Sequence, residues 1–277
     1  MSRPYAEVIG DPIAHSKSPL IHNFWLKKLG IDAGYRACDV QTDQLETYFA
    51  ERRADPDWSG CNVTIPHKQA VIPWLDEIDS KARGVGAVNT IQRDTEGWLT
   101  GTNTDIDGTG EAVAPAPVAG QIAVVIGSGG AARAAFAFLA GSTCNVVRVV
   151  ARSPDKAAEA AKECSLHAEI IPFSNGTEAI MGASLLVNAT QLGMAGQQPM
   201  PGFIFDALEG LAPGALVFDM VYAPLETELL KTARGLGFET SDGLVMLIGQ
   251  AATAFERFFG HAPPRHLDDE LRGILTQ

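Results

Sequence analysis

One stretch decides the fold of the chain, Val124-Val125-Ile126-Gly127-Ser128-Gly129-Gly130-Ala131-Ala132. An apolar strand, a glycine-rich turn and a helix start follow one another here, with Ala132 at the third small position of the pattern G-x-G-x-x-G/A. Gly127 permits a tight turn, Gly129 lets the backbone approach a pyrophosphate, and Ala132 permits close packing of the helix on the strand. Free amides at a helix start favour an anion. The stretch therefore predicts a dinucleotide-binding turn.

The next predicted strand, Val146–Ala151, indicates which dinucleotide binds. NAD-type sites carry an acid near this strand end, which bonds the ribose 2′-hydroxyl. Here Arg152, Ser153 and Lys156 supply donors instead, and donors suit a 2′-phosphate. Asp155 falls in the first turn of the following predicted helix, where an acid favours the helix dipole. An ordinary solvated loop is the alternative for the basic residues, but beside the glycine turn they favour NADP.

Short apolar strands alternate with helical patterns along the whole sequence, which is typical of an α/β fold. Residues 112–120 form a linker-like segment with two prolines. The strand that follows, Gln121–Ile126, is apolar throughout and is expected to be buried on both faces. We therefore predict two α/β domains, residues 1–110 and residues 111–242. A helical tail over residues 243–277 is predicted to return to the first domain.

Charge and cysteine content exclude several classes of protein. The 277 residues include 33 acids and 21 basic residues, so the formal net charge of −12 disfavours nucleic acid or an anionic membrane as a partner. The four cysteines include no CxxC pair, and the six histidines show no metal-ligand spacing. There is no secretory signal and no apolar run of membrane-spanning length. We expect a soluble cytoplasmic protein, monomeric or homodimeric, without a metal.

Four segments carry more hydroxyl, amide and charged groups than a connecting loop needs. They are residues 10–19, 62–68, 86–90 and 101–105. Each lies where a predicted strand passes into a loop or helix, the edge at which ligands collect in open α/β sheets. Donors and acceptors without a large apolar pocket indicate a small, polyhydroxylated ligand.

A lysine and an aspartate in these segments can transfer a proton together and stabilise a developing alkoxide. Lys68 is the candidate donor, and Asp105 is the candidate that orients it. The alternatives are a solvated lysine at a helix start and an aspartate that caps the following helix. Ser18 is expected to be a helix N-cap, which leaves Ser16 the freer hydroxyl. His67 is expected to pack or to bond the backbone.

Together and in this order, the motifs resemble the shikimate dehydrogenase family, enzymes of aromatic amino acid biosynthesis. The resemblance extends through residues 127–133, 188–194, 218–224 and 242–252 and covers nearly the whole chain. It implies a Rossmann-type NADP-binding domain in the middle of the chain and a discontinuous α/β substrate domain built from both ends. The implied activity is reversible, NADPH-dependent reduction of 3-dehydroshikimate to shikimate.

The resemblance also implies a role for individual residues. Lys68 and Asp105 match the catalytic pair. The implied substrate-binding residues are Ser16, Ser18, Thr64, Asn89, Tyr222 and Gln250. The implied cofactor-binding residues are the turn Gly127, Ser128, Gly129, Gly130, Ala131 and Ala132, the loop residues Arg152, Ser153 and Lys156, and the nicotinamide neighbours Thr190, Met220, Gly243 and Met246. Helix packing is the alternative for Met246, and a simple turn for Gly243.

Three positions depart from the family pattern. Ser153 and Lys156 replace a threonine and an arginine that are frequent there, which weakens the case for strict NADP preference. Gln191 stands where a small serine is usual. Two other functions stay open: a quinate/shikimate dehydrogenase that uses NAD, and a non-catalytic, ligand-sensing module on the same fold. An acid at residues 151–153 would favour the first, and none is present. Intact Lys68 and Asp105 weigh against the second.

Overall fold

The computed structural model of the protein describes residues 3–277. The chain forms two compact units. The terminal unit comprises the chain up to Thr104 together with Gln250–Gln277, and the central unit is Asp105–Gly249. The sequence prediction places these boundaries after residues 110 and 242. Helix Asp105–Val113 goes with the central unit because Ala112 and Val113 are buried in that unit's core.

Residues 3–277 contain twelve strands and eleven α-helices. The strands are β1 (Tyr5–Gly10), β2 (Gly34–Asp39), β3 (Trp58–Val63), β4 (Glu77–Ile78), β5 (Thr90–Arg93), β6 (Leu99–Thr102), β7 (Ile122–Ile126), β8 (Val146–Ala151), β9 (Glu169–Pro172), β10 (Leu185–Asn188), β11 (Leu216–Asp219) and β12 (Glu239–Asp242). The helices are α1 (Ser18–Leu29), α2 (Leu45–Ala54), α3 (Ser80–Val85), α4 (Asp105–Val113), α5 (Gly130–Ala140), α6 (Pro154–Glu163), α7 (Gly176–Ile180), α8 (Gly202–Ala207), α9 (Glu228–Gly235), α10 (Gly243–Phe259) and α11 (Asp268–Leu275).

The terminal unit is built on a mixed sheet with the order β2-β1-β3-β5-β6-β4. β1 pairs in parallel with β2 and β3, whereas β5 is antiparallel to both β3 and β6. The sequence pattern predicts strands over Val88–Gln92 and Trp98–Gly101 on either side of a turn at residues 94–97, and the antiparallel β5–β6 pair confirms them. Its turn is closed by the amide of Gly97, which donates to the Asp94 carbonyl over 3.2 Å. Backbone hydrogen bonds place the segments after β2 and β3 beside the end of β1.

The apolar spacing predicts a helix that starts near Ser18 and is followed by Gly30, and α1 confirms it: Gly30 ends the helix in the left-handed conformation with φ 66°. Its buried face includes Ile21, Trp25 and Leu26. The prediction that Ser18 caps the helix is wrong, because Ser18 is already the first helical residue. The amide of Ser18 donates to the Ser16 hydroxyl oxygen over 3.3 Å. Ser16 thus satisfies the helix start, and the buried Ser18 side chain is left for another partner.

The central unit is built on a parallel sheet with the order β12-β11-β10-β7-β8-β9. Strand order reverses between β7 and β10, which is the topology of a Rossmann-type domain with its ligand crevice at the reversal. Alternate residues of β7 enter two cores: Ala123 and Val125 lie on one face, and Val124 and Ile126 on the other. All four are fully buried, as the apolar strand predicts.

Helix α10 confirms the helical run predicted over Leu244–Phe259 and belongs to both units. Its first turns lie in the central unit, and the residues from Gln250 onward lie in the terminal unit. Nowhere in residues 3–277 does a helix combine the length and apolar character that a membrane span requires.

Candidate active site

A polar cluster lies inside the terminal unit, formed by side chains from four strands or loops and two helices. Its members are Ser18, Tyr35, Asn62, Asn89, Thr90, Thr104 and Gln250, and each is less than a tenth exposed. Three of them, Ser18, Asn89 and Gln250, are predicted substrate-binding residues from distant parts of the sequence. The other four carry no predicted role of their own, because their function depends on contacts that only the fold creates.

Asn89 lies at the centre of the polar cluster. Its Oδ1 accepts from the amide of Thr104 over 2.7 Å and from the hydroxyl of Thr90 over 3.0 Å. The Thr104 hydroxyl lies 3.2 Å from the same Oδ1 and 3.4 Å from Oε1 of Gln250, and it can donate to either oxygen. These bonds join the residue before β5 to the end of the segment after β6 and to α10. The two predicted hydroxyl-binding amides, Asn89 and Gln250, are therefore held by one common residue.

Ser18 reaches the polar cluster through Tyr35. Burial raises the pKa of Tyr35 well above its ordinary value, and a hydrogen bond with Ser18 opposes that rise. The Tyr35 hydroxyl donates to Oδ1 of Asn62 over 2.6 Å. The Ser18 side chain thus has a buried polar partner, whereas the half-buried Ser16 hydroxyl bonds the start of α1. The sequence predicted the opposite: Ser18 at the helix cap and Ser16 as the freer hydroxyl.

Lys68 lies in the turn segment after β3 and is half-buried. Its carbonyl accepts from the amide of Val88 over 2.7 Å. Val88 precedes Asn89, whose side chain holds the amide of Thr104. Two consecutive residues therefore hold the main chain at Lys68 and at Thr104, and the chain continues directly from Thr104 into Asp105.

The neighbours of the candidate pair agree in part with the sequence predictions. The side chain of His67 is buried and its Nε2 lies 2.6 Å from the Val40 carbonyl, which confirms the predicted backbone bond. Lys68 follows β3 in a turn and is not at a helix start. Asp105 is the first residue of α4, and its carbonyl accepts from the Thr109 hydroxyl over 2.8 Å. Thr64 is half-buried, and its amide donates to the Ile9 carbonyl.

The central unit gathers the predicted cofactor residues along one edge of its sheet, the cofactor edge. Each follows the carboxyl end of a strand within two residues. The strands are β7, β8, β10, β11 and β12, and the residues are Gly127, Arg152, Thr190, Met220 and Gly243. Because the strands are parallel and paired, their carboxyl ends meet at the same edge. β12 is a polar edge strand that the sequence analysis did not predict, so the position of Gly243 on this edge comes from the fold.

The glycine turn combines one tight contact with open space. Gly127 has φ 110°, and a Cβ there would lie 2.8 Å from Cγ2 of Thr190 and 3.1 Å from the Ala189 carbonyl oxygen. By contrast, a Cβ at Gly129 or Gly130 would have no atom within 4 Å among residues 3–277, apart from the chain neighbours and the backbone of α5. Ala132 is fully buried in the core, as predicted. The start of α5 therefore presents amides to open space, which suits a phosphate.

A buried carboxylate supports the part of the cofactor edge that contains Thr190. Asn188 Oδ1 accepts from the Thr190 hydroxyl over 2.6 Å, and Asn188 Nδ2 donates to Asp219 over 2.9 Å. The Thr227 hydroxyl donates to the same carboxylate over 2.7 Å. Burial raises the pKa of Asp219 above its ordinary value, and the hydrogen bonds from Thr227, Val221 and Asn188 oppose that rise. Asn188 and Asp219 were missed at the sequence level because nothing local shows that they pair.

Met220, Gly243 and Met246 lie close together in the central unit. A Cβ at Gly243 would lie 2.4 Å from the Met220 carbonyl oxygen, so only glycine fits between β11 and the start of α10. Met246 packs partly buried against the core, and its sulfur lies 3.9 Å from the Thr109 hydroxyl oxygen. Tyr222 also lies in the central unit, with 42% of its surface exposed. The other five predicted substrate residues lie in the terminal unit.

The basic loop after β8 is exposed to solvent. The side chains of Arg152, Ser153 and Lys156 are exposed and form no hydrogen bond or ion pair with any of residues 3–277. Pro154 and Asp155 lie in the first turn of α6, as predicted. By contrast, the nearby Arg148 pairs with Glu169 over 3.1 Å. The donors of this loop are therefore available to a phosphate.

The part of the chain that the structure describes, residues 3–277, contains no group of three or more His, Cys, Asp or Glu placed to hold a metal ion. The residues on the cofactor edge instead present amides, hydroxyls and cations. That donor set suits the phosphates of a dinucleotide.

Comparison with known proteins identifies the family. The chain matches the shikimate dehydrogenase substrate binding domain over residues 8–91, shikimate/quinate 5-dehydrogenase over residues 112–194, and the shikimate 5′-dehydrogenase C-terminal domain over residues 243–268. It is 49% identical to the shikimate dehydrogenase (NADP(+)) of Sphingopyxis alaskensis over 99% of this chain and 97% of that protein. The chain belongs to the shikimate dehydrogenase family.

Two solved structures show how closely the fold agrees with that family. Shikimate 5-dehydrogenase of Thermus thermophilus, in complex with NADP(H) and shikimate, is 34% identical with a TM-score of 0.82, covering 98% of this chain and 99% of that one. Quinate dehydrogenase of Corynebacterium glutamicum, in complex with NAD, is 29% identical with a TM-score of 0.86, covering 99% of both chains. Solved structures of this fold thus include complexes with NADP(H) and with NAD.

Proposed function

We propose that this protein is an NADP-dependent shikimate dehydrogenase, which reversibly reduces 3-dehydroshikimate to shikimate with NADPH in aromatic amino acid biosynthesis. The observation that carries the proposal is the shared support of Lys68 and Thr104 on Val88 and Asn89. It anchors the candidate proton donor and the residue before Asp105 next to a buried amide suited to a hydroxylated ring. Membership of the shikimate dehydrogenase family supports the same conclusion.

The substrate is held by groups that match its chemistry. Asn89, Gln250 and Thr64 bond the ring hydroxyls, because amides and hydroxyls pair with hydroxyls in either direction. Ser16, Ser18 and Tyr222 hold the carboxylate. Most of these side chains lie in a site already ordered by internal hydrogen bonds, so binding orders few of them and loses little entropy.

Proton transfer falls to Lys68 and Asp105. NADPH bound at the cofactor edge supplies the hydride that reduces the ketone carbon. As negative charge develops on the ketone oxygen, the Lys68 ammonium donates a proton to it, and in the reverse direction Lys68 accepts that proton. The Asp105 carboxylate orients the ammonium and stabilises its charge.

The protein binds the cofactor at its phosphates and at its nicotinamide. The amides of Gly127–Ala132 bind the pyrophosphate at the start of α5, where the helix dipole favours an anion. Arg152, Ser153 and Lys156 bind the 2′-phosphate, to which a guanidinium can donate two parallel hydrogen bonds. Thr190, Met220, Gly243 and Met246 surround the nicotinamide. No acid stands at residues 151–153, where an NAD-type site would carry one to bond the ribose 2′-hydroxyl.

The test is a matrix of steady-state rates with shikimate or quinate as substrate and NADP or NAD as cofactor. We expect kcat/KM to be largest for shikimate with NADP. Faster turnover of quinate with NAD would contradict the proposal and favour the quinate/shikimate dehydrogenase alternative. Tight shikimate binding without turnover under any condition would instead favour the ligand-sensing module.

A further inference from the structure

The hydroxyl of Thr90 lies fully buried within the polar cluster, between three side-chain partners. It is 3.0 Å from Nδ2 of Asn62, 3.0 Å from Oδ1 of Asn89 and 3.1 Å from the hydroxyl of Thr104. No predicted role falls on Thr90. Thr90 nevertheless follows Asn89 in sequence, and its hydroxyl contacts the oxygen of the Asn89 amide, which is proposed to bind the substrate.

The direction of the hydrogen bonds at Asn62 follows from one fixed acceptor. The Asn89 carbonyl can only accept, and it lies 3.3 Å from Nδ2 of Asn62. The nitrogen of the Asn62 amide must therefore face Asn89 and Thr90, and its oxygen faces the Tyr35 hydroxyl. The Tyr35 ring is itself fixed by stacking on His22, with ring centroids 4.0 Å apart and planes 3° from parallel.

The same reasoning fixes Asn89. The amide of Thr104 can only donate, so the atom of Asn89 that it meets at 2.7 Å is the oxygen. Thr90 accepts from Asn62 and has its own proton left to donate to the same oxygen. The Thr104 hydroxyl lies 3.2 Å from the same oxygen. Donors from Thr104 and Thr90 on one carboxamide oxygen fix the plane of the amide as well as its direction. Nδ2 of Asn89, which makes no hydrogen bond to any of residues 3–277, is then the group left for a ligand.

We propose that Thr90 is a positioning residue for the substrate: backed by Asn62 and Tyr35, it holds the Asn89 amide so that Nδ2 faces a ring hydroxyl of shikimate. This inference rests on the proposed function, because it takes the ligand of Asn89 to be that ring. It gives the hydrogen-bonded series Tyr35–Asn62–Thr90 a role in substrate affinity, and this role depends on Asn89 alone.

A double-mutant cycle tests the inference. Thr90→Val removes the hydroxyl at nearly constant volume, and we expect the KM for shikimate to rise ~3- to 10-fold with kcat changed less than ~2-fold, the loss of one hydrogen bond in uniform binding. Thr90→Ser keeps the hydroxyl and is expected to restore the KM. In an Asn89→Ala background, Thr90→Val should raise the KM no further, since Thr90 acts through Asn89.

Several outcomes would overturn the inference. Additive effects of Thr90→Val and Asn89→Ala would show that Thr90 acts independently of Asn89. An equal rise in the KM for NADP would indicate a general structural defect. If Thr90→Val does not fold, Tyr35→Phe, which keeps the ring on His22, takes its place with an expected ~2- to 5-fold rise in KM that Asn89→Ala abolishes.

The proposed function and this inference can fail separately. Wild-type protein that turns over shikimate while the cycle shows additivity refutes the role of Thr90 alone. If the wild-type protein has no turnover, the proposed reaction is refuted. The same cycle, read by calorimetry as the Kd for shikimate, then still decides whether Thr90 acts through Asn89, and absence of shikimate binding refutes both.

Discussion

In the terminal unit the polar cluster is buried and its side chains are bonded to one another, whereas on the cofactor edge of the central unit the glycine turn and the basic loop after β8 face solvent. Asn89 accepts from two donors and is almost fully buried. Gly129 and Gly130 border open space, and Arg152 has no partner among the described residues. In the terminal unit the side chains proposed to bind substrate are already ordered by hydrogen bonds, whereas the central unit offers a backbone turn and a solvated loop.

The difference predicts how the two units respond to substitution. Buried groups that share hydrogen bonds are energetically coupled, so changes in the terminal unit should be non-additive. Exposed groups of the cofactor edge make few contacts with each other, so changes there should be local and close to additive. A small hydroxylated acid needs a pre-ordered site for specificity, whereas a large dinucleotide gains affinity from many separate contacts.

The largest effect on activity is expected from loss of the proposed proton donor, Lys68, which lies in the terminal unit. Lys68→Ala should lower kcat by ~10²- to 10⁴-fold, because general acid catalysis is lost, with a smaller effect on KM. Lys27→Ala, on the exposed side of α1, is the matched control and should leave the rates unchanged. A change confined to KM would contradict the catalytic role of Lys68.

The glycine turn separates a structural glycine from a binding glycine within the central unit. Gly127→Ala forces a Cβ against Thr190 and the Ala189 carbonyl at φ 110°, so the free energy of unfolding should fall by about 3 kcal/mol. Gly129→Ala adds a Cβ to open space and should leave the unfolding free energy unchanged while raising the KM for NADP. Urea unfolding and steady-state rates measure the two effects. Equal destabilisation by both substitutions would show that the space at Gly129 is not open.

The terminal unit should also be the more sensitive to acid. His22 is fully buried, neither ring nitrogen has a partner in the described chain, and burial lowers its pKa from 6.5 to about 3. The folded state stays neutral while the unfolded state takes up a proton below pH 6.5. The free energy of unfolding should therefore fall as the pH drops from 6.5 towards 3, and the His22 contribution between pH 7 and pH 5 is about 2 kcal/mol.

His22→Phe isolates that contribution, because phenylalanine keeps an aromatic ring against Tyr35 and cannot be protonated. The variant should lose about 2 kcal/mol less than the wild-type protein between pH 7 and pH 5, measured by urea unfolding. His261→Phe, at an exposed histidine, should show the wild-type pH dependence. An unchanged pH dependence in His22→Phe would mean that His22 is not the residue that titrates.

The smallest effect is expected in the exposed loop after β8. Arg152→Ala should raise the KM for NADP by about 10-fold and leave the KM for NAD within ~2-fold, because only NADP carries the phosphate that Arg152 is proposed to bind. Arg234→Ala, an exposed arginine paired with Glu226, is the control. Equal losses for both cofactors would exclude a contact between Arg152 and the 2′-phosphate.

Local patterns predicted the elements well and the side-chain partners poorly. The apolar strand β7, the glycine turn, the cap at Gly30 and the hairpin β5–β6 all follow from short-range signals, and all are confirmed. The polar strand β12 was missed, because it has no apolar pattern and is held by backbone bonds to β11. The Ser18 cap was wrong because the two nearby serines satisfy the same local rule, and only packing against Tyr35 separates them.

The sequence by itself determined the α/β class, the dinucleotide turn, the basic loop and the family, because each depends on residues that are neighbours in the chain. Only the tertiary structure decided which residues form the hydrogen-bonded surroundings of Asn89: Tyr35, Asn62, Thr90 and Thr104. Those residues come from separate strands and loops, and the direction of each hydrogen bond is set by a backbone donor or acceptor that the fold brings to it. Orientation of a buried amide is a property of its surroundings, which no local stretch of sequence contains.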